Sequence, residues 1–559
     1  MLRYNDYSNY TIADRRFYDE YGRADLPYEL EHLVRDAASA DDEIVVNNYW
    51  VICRPAALPA LADHGWKIHV SVTPTEALRA LEIVTAEFRR EPFHFKCLRD
   101  LRMVTTATSR GWPTGQVGKV IAIYPRDAEE TRALLGRLHQ LLAGISGPYV
   151  LTDRRYRDST CLYYRYGQHA GSQRLRPDGT RSTVLIGPNG EEWDDSREPA
   201  YRTPPWVGPL FDDEQEPEAA SRVINGYRFV GALSHGGAGG VYLAERESDG
   251  ARVVIKESRP HTAFALDGSD RHTRLRREFE ALTLLADAGV APRPYELFEA
   301  WEHLFLAQEF VEGVPLTRFI AATRPQSYTE ADEPALAVYR EQIDAVVAGV
   351  RAAIDACHER GVGFGDLSLN NVFVDPETLQ VTLIDFESCQ PLSAFGGDLP
   401  MTPGFVPPPN SAAWRDGRAF DLMGVASVEL AMISNRNLLR AIDDGALART
   451  TAWSAALLRR PLGDLFERLE LEDTTTELPT DLDLVIKESM RFVESVMDTE
   501  RGARVFPADP LVFGTNPWSV GYGVAGVARA LHRLTGSLPP ALDEWIARAE
   551  GLDRLPAGL

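Results

Sequence analysis

A glycine-rich turn between two apolar runs, Ser234 to Tyr242 (SHGGAGGVY), is followed in order by features that few folds can use together. Lys256 lies in the β-branched run RVVIKES, and Glu278 about twenty residues later in LRREFEALTLL. Asp366 and Asn371 share GFGDLSLNNVFV, and Asp385 closes the strand-like VTLIDF. A lysine on the buried face of a strand is costly without an anionic partner. Glu278 sits on a helix whose apolar stripe faces inward. Strand-like runs to about Ile255, a helix around Leu275 to Ala286, more strands and a mostly helical stretch from Pro334 predict a two-lobed α+β domain. A glycine-rich turn alone carries little information; the ordered set carries much more.

That set resembles the protein-kinase superfamily over about Tyr227 to Leu430. In phosphoryl transfer the protein mainly positions groups and neutralises charge. The resemblance implies that Ser234, Gly236, Gly239 and Val241 line the nucleotide, the glycines letting backbone amides approach its phosphates. Lys256 would hold the phosphates and pair with Glu278. Asp366 would orient the attacking hydroxyl, with Asn371 and Asp385 holding magnesium from two sides. ATP or GTP with Mg2+ is thus implied. Ser234 departs from the usual first loop glycine, Phe364 and Gly365 replace the His-Arg before Asp366, and Glu387 replaces the glycine after Asp-Phe. No metal-binding or hydroxyl-orienting side chain is lost, so activity is expected. Without an arginine at 365 to clamp a phosphorylated activation loop, that activity is expected to be constitutive. Gln390 to Asn410 is expected to form part of the peptide-substrate surface, and Asp421 to be a structural anchor.

The amino-terminal part has a different character. Residues 51–181 hold 20 Lys and Arg against 12 Asp and Glu inside a chain of net charge -23. WKIHVSV (Trp66–Val72) and VGKVIAI (Val117–Ile123) read as strands, Thr75 to Arg89 and Glu129 to Leu142 as amphipathic helices. Residues two apart in a strand share a face, so Lys67 points with His69, and His94 with Lys96. Arg110, Lys119, the run DRRYR with Arg154 and Arg155, and Arg165 add further cations. A basic sheet face in solvent is one reading and a phosphate pocket the other. WKIHVS, FHFKCLRD, SRG, GK, DRRYRDS and YYRYG in this order resemble the lyase domain of class III and class IV lanthipeptide synthetases, itself similar to bacterial phosphothreonine lyases. In those enzymes such a module precedes a kinase domain, as here.

The resemblance implies that Lys96 is the base and His69 the acid of phosphate elimination, with Lys67, Arg110, Lys119, Arg154, Arg155 and Arg165 as the candidates for clamping the phosphate or lowering the lysine pKa. The sequence leaves open which of Arg154 and Arg155 points inward. The expected architecture is an α+β multidomain chain: a phosphothreonine-lyase-like α+β domain over 1–200, a Pro- and acid-rich linker over 201–222, a bilobal protein-kinase-like domain over 223–505, and from 506–559 the start of a truncated helical cyclase domain. That tail is expected to pack on the kinase's helical lobe and to form no thioethers. No cysteine follows Cys389, so no zinc site is expected there. The implied partner is a ribosomal precursor peptide held by its leader, and a homodimer is compatible with the sequence. The acidic charge argues against nucleic acid, and the lack of a long apolar run or signal segment argues against a membrane and for the cytoplasm. The competing function is a Ser/Thr kinase whose amino-terminal domain reads phosphopeptides without eliminating phosphate. An acid and base pair would be of no use to such a reader.

Overall fold

The computed structural model describes residues 10–14, 17–169, 173–175, 181–195, 198–212, 222–265, 268–396, 401–472, 481–501, 504–514 and 516–548. Its first body is an antiparallel sheet of β1 (Glu43–Asn47), β2 (Trp50–Arg54), β3 (His64–Val70), β4 (His94–Leu98), β5 (Ile121–Tyr124), β6 (Arg154–Arg155) and β7 (Leu162–Gln168), in the order β1-β2-β4-β5-β3-β7-β6. The helices before and between them are α1 (Tyr10–Ala13), α2 (Glu29–Ala37), α3 (Ala77–Arg90), α4 (Leu101–Ala107) and α5 (Ala128–Leu141). Leu81, Val84 and Phe88 of α3 and Leu134 and Leu138 of α5 recur at three- and four-residue spacing and bury against Ile68, Val70, Phe95 and Ile123 of the sheet. Covering one face this way leaves the alternate residues, Lys67, His69 and Lys96, on the other.

Two expectations need correction here. Val117 to Ile123 is not one strand: β5 starts at Ile121, and the chain turns through Gly118 at φ +81°, where an added Cβ would lie 3.0 Å from the Pro148 carbonyl oxygen. That turn carries Lys119 to Asp153. The expected linker does not run free over its first half, because Leu210 is buried in the amino-terminal core and its carbonyl accepts from Arg132 Nε at 2.7 Å. Residues 213–221 lie outside the described residues.

A small sheet of β8 (Gln173–Leu175), β9 (Arg181–Ile186) and β10 (Glu192–Asp194) leads to the second body. This begins with a six-stranded antiparallel sheet of β11 (Val223–Ile224), β12 (Tyr227–Gly236), β13 (Gly239–Arg246), β14 (Arg252–Ser258), β15 (Pro294–Ala300) and β16 (His303–Glu309), ordered β11-β12-β13-β14-β16-β15. Helix α6 (Arg271–Leu284) packs beside it, capped by Asp270, whose side chain accepts from the Thr273 amide. The helical lobe holds α7 (Leu316–Thr323), α8 (Glu333–Glu359), α9 (Gly417–Ile433), α10 (Asp444–Leu457) and α11 (Leu465–Arg468) around Tyr339, Ile343, Val350, Phe364 and Leu430. A bilobal α+β domain behind an α+β domain is the expected class.

The tail comprises α12 (Leu482–Ser495), α13 (Leu511–Gly514), α14 (Val524–Thr535) and α15 (Pro540–Ala547). It builds its own small core of Val505, Phe506, Leu531, Leu542 and Trp545, against which Val493 and Met497 also pack, so α12 belongs with the tail rather than with the lobe before it. The tail's docking also differs from expectation. It meets the amino-terminal segment: Tyr10 stacks on Phe513 at 5.2 Å, and Arg501 Nη1 donates to Asp19 Oδ2 at 2.5 Å.

Candidate active sites

Strand register decides which cations of the first body meet. Lys96 of β4 pairs with Ala122 of β5, Ala122 with His69 of β3, His69 with Tyr163 of β7, and Tyr163 with Arg155 of β6. The five therefore stand in one row on one face. Lys67 pairs with Arg165 in the neighbouring row of that face. Two strand spacings, roughly 10 Å, separate the Lys96 and His69 backbones, with the small Ala122 between them.

His69 is buried, and its Nδ1 lies 2.5 Å from Asp153 Oδ2. With Nδ1–H directed at a carboxylate, Nε2 is the nitrogen free to exchange a proton. Thr152 Oγ1 also donates to Asp153, at 2.6 Å, and Lys119 Nζ stands 3.4 Å away. Against its own burial, Asp153 is held well below the usual carboxylate range by Lys119 and His69. Burial in turn pushes the His69 imidazole down to about 4. Lys67 is pushed well below the ordinary lysine value, by burial first and then by Arg165, with Lys96 and Lys119 adding to it. The crowding expected to neutralise an amine is thus present, and it acts on Lys67. Lys96 Nζ lies 4.2 Å from the centre of the Trp50 ring. Arg165 forms a buried ion pair with Asp195.

Of the remaining three cations, the register puts Arg155 and not Arg154 on the His69 face, a choice the sequence left open, and Arg110 lies away from that face. Arg154 pairs with Tyr164, in the row of Ile68, and its guanidinium lies over the Tyr201 ring. Arg155 shares the His69 row, but its guanidinium is committed across to the second body: Nη1 and Nη2 donate to the two Glu302 carboxylate oxygens at 2.6 and 2.5 Å. Tyr149 packs edge-on to Trp301 beside that pair. Arg110 lines the cleft of the second body instead. Asp153 and Ala122 are the residues that sequence reasoning missed. The aspartate was visible as the acidic start of a basic run, but nothing marked Ala122.

In the second body Lys256 Nζ donates to Glu278 Oε1 at 2.6 Å and to Asp385 Oδ1 at 2.8 Å. Despite burial, Asp385 and Glu278 hold its pKa above the ordinary lysine value. Asp385 has the left-handed φ of +64°, a region that Asp and Asn enter more readily than other side chains. Asn371 Nδ2 donates to the Asp366 carbonyl oxygen at 2.9 Å and to Asp366 Oδ2 at 3.1 Å, and the Thr402 amide donates to Asp366 Oδ1 at 2.8 Å. Burial pushes the Asp366 carboxyl up to about 6, close to the value that suits a base near neutral pH. Two carboxylates and an amide converge here. That is a hard-oxygen set of the kind magnesium accepts when it keeps waters and phosphate oxygens as further ligands. Among the described residues no group of three or more His, Cys, Asp or Glu forms a metal cage.

Of the glycine loop, Ser234 pairs with Val241 and Gly236 with Gly239 across the β12–β13 hairpin. Gly239 has φ +141°, and a Cβ there would fall 2.0 Å from the Glu257 carbonyl oxygen, so only glycine fits. Asp421 accepts from the Phe364 and Gly365 amides at 2.8 and 2.9 Å and from His358 Nε2 at 2.9 Å, a structural role. Of the expected substrate segment, residues 397–400 lie outside the described residues.

Glu387 acquires a role that the sequence did not disclose. Its two oxygens accept from Arg271 Nη1 and Arg274 Nε of α6, each at 3.0 Å. This ties the segment after Asp385 to the helix bearing Glu278. Glu387→Gln is expected to strand two buried guanidinium groups at a cost of about 3–5 kcal/mol. Hydrogen exchange should show faster exchange at α6 amides than in wild type; unchanged protection would refute the tie.

The comparisons agree with this division. The family described as "RamC, N-terminal domain" matches residues 31–222, and the protein kinase domain family matches 227–501. The chain is 35% identical to a probable SapB synthase of Streptomyces coelicolor over 399 residues, covering 70% of this chain and 42% of that protein. It is 26% identical to the serine/threonine-protein kinase Pkn1 of Myxococcus xanthus over 258 residues, covering 43% of this chain and 33% of that protein. The chain thus spans less than half the length of these curated relatives. With a RamC-type amino-terminal domain joined to a kinase domain in this order, the chain belongs to the lanthipeptide synthetases.

Proposed function

We propose that the chain dehydrates Ser and Thr of a ribosomal precursor peptide in two steps at two sites. In the cleft of the second body, Asp366 accepts the proton of the substrate hydroxyl. The hydroxyl oxygen bonds to the terminal phosphorus of ATP or GTP, and the bridging P–O bond breaks to release the nucleoside diphosphate. Lys256 would hold the phosphates, and Asn371 and Asp385 would hold Mg2+, which when bound offsets phosphate charge. On the basic face of the first body, Lys96 takes the Cα proton and the Cβ–O bond breaks. The electron pair forms the Cα=Cβ bond of dehydroalanine or dehydrobutyrine, and His69 gives a proton to the departing phosphate. Lys119 and Arg165 supply positive charge around it, and Lys67, whose pKa burial holds down, joins them as the arriving dianion raises it.

One observation carries the elimination half: His69 and Lys96 occupy one sheet row with only an alanine between, and His69 is oriented by a buried carboxylate. A phosphate reader needs cations but no such acid and base pair. The test is mass spectrometry after incubating the protein with Mg-ATP and a Ser/Thr-rich peptide bearing its leader. Dehydrated peptide is expected; phosphopeptide as the sole product would favour the kinase with a non-catalytic phosphopeptide-binding domain.

The low His69 value has a measurable consequence. At pH 7 an imidazole held at about 4 is neutral, whereas the acid role needs a proton on it. An arriving phosphate dianion raises the pKa of the groups around it, so binding draws protons in. Calorimetric titration of Lys96→Ala with a phosphopeptide, in buffers of different ionisation enthalpy, should show net proton uptake at pH 7. Heats independent of buffer would contradict the assignment.

A further inference from the structure

The cleft with Asp366 and Asp385 is walled on one side by the first body. A cavity of about 500 Å³ is lined by Asp366, Asp385 and Glu387 and, from the opposite wall, by Thr105, Ser109 and Arg110. The wall is anchored at several points. The Ala263 amide donates to the Thr108 carbonyl oxygen at 2.8 Å, after the chain bends through His261 and Ala263, both in left-handed conformation. Trp112 is buried in the first body's core and fixes the far end of the turn. The tip of the glycine loop is closed against the same wall: a Cβ on Gly237 would sit 2.2 Å from Val117 Cγ2, and one on Gly236 3.5 Å from the Arg110 carbonyl oxygen.

The charges in this cavity are unequally matched. Glu387 is held by Arg271 and Arg274, and Asp385 by Lys256. Among the described residues Arg110 forms no ion pair, although its charge is felt across the cavity. Burial raises Asp385, but Lys256, by charge and hydrogen bond, together with Arg110 and then Arg271 brings its carboxyl below the usual range. Gly365 leaves no arginine beside Asp366. A nucleotide would bring several further negative charges into a space already lined by three carboxylates. Arg110 is the cation on the opposite wall that is not already spent on one of them.

We propose that Arg110, carried by the amino-terminal domain, completes the phosphotransfer site by placing its guanidinium on the oxygens of the phosphoryl group in transfer. This rests on the kinase half of the function proposed above and reassigns Arg110 from the elimination site that the sequence resemblance implied. As the hydroxyl oxygen bonds to phosphorus and the bridging bond breaks, charge spreads over the phosphoryl oxygens, and a guanidinium bonded to them stabilises that state more than the bound nucleotide. The phosphotransfer site would then include a residue of the amino-terminal domain, and the kinase domain alone would lack one phosphate contact.

The test uses the full chain and two readouts: phosphorylation of the leader-bearing peptide in a Lys96→Ala background, and elimination from a synthetic phosphopeptide. Arg110→Met is expected to lower kcat for phosphorylation by about 10²- to 10³-fold, as for loss of one transition-state donor. KM for nucleotide should change far less, and elimination in the otherwise wild-type chain should stay near wild type. Arg110→Lys should recover part of the rate, because it keeps the charge but not the fork. Phosphorylation at the wild-type rate in Arg110→Met overturns the proposal. So does lost elimination with intact phosphorylation, which would return Arg110 to the basic face. Parallel loss of both activities that lysine does not relieve also overturns it. Absence of phosphorylation by the Lys96→Ala parent would instead refute the kinase reading on which it rests.

Discussion

Lys96→Ala is expected to yield a protein that phosphorylates its peptide at the normal rate and then stops, so that phosphopeptide accumulates where wild type yields dehydro residues. Removing a positioned base lowers its step by about 10²- to 10⁴-fold. The fold should survive. Lys96 is only half-buried, lies over Trp50, and stands on the face that the helices leave uncovered. His69→Ala should give the same product, but its burial against Asp153 makes it the poorer probe, since the buried carboxylate would keep Lys119 but lose its shortest hydrogen bond. Time-resolved mass spectrometry separates phosphorylation from elimination directly. Equal dehydration by Lys96→Ala and wild type would remove the lysine from the chemistry.

Asp385→Asn is expected to have the complementary effect. Its carboxylate accepts from Lys256 Nζ and stands with Asp366 in one cavity, so neutralising it removes the proposed magnesium ligand and unbalances the lysine proposed to hold phosphate. Phosphorylation should fall by at least about 10²-fold. The backbone should persist, since asparagine accepts the left-handed conformation of position 385 as readily as aspartate. Elimination from a supplied phosphopeptide should be unaffected, because the His69–Lys96 row draws on no residue of this cleft. Loss of both activities would point to one shared site.

Much of this was legible in the chain, for reasons that differ between the halves. The set Lys256, Glu278, Asp366, Asn371 and Asp385 could be read because each role needs a distinct residue type in a fixed order. The face shared by Lys67 and His69 follows from strand alternation, which is local. What stayed hidden depends on long-range register and docking. Ala122 matters only because β5 lies between β4 and β3. Glu387 looked like a simple departure until α6 brought Arg271 and Arg274 to it. The resemblance groups Arg155 and Arg110 with the basic face, yet the docking of the two bodies commits one to Glu302 and sets the other in the opposite cleft. The tail was misplaced for the same reason, since no local pattern announces that Phe513 stacks on Tyr10.

The most direct test of the account hands the intermediate from one variant to the other. Phosphopeptide made by Lys96→Ala, purified free of nucleotide and given to Asp385→Asn without ATP or Mg2+, should lose phosphate and become the dehydro peptide. Phosphopeptide recovered unchanged, while wild type under the same conditions converts it, would contradict two independent sites working in sequence.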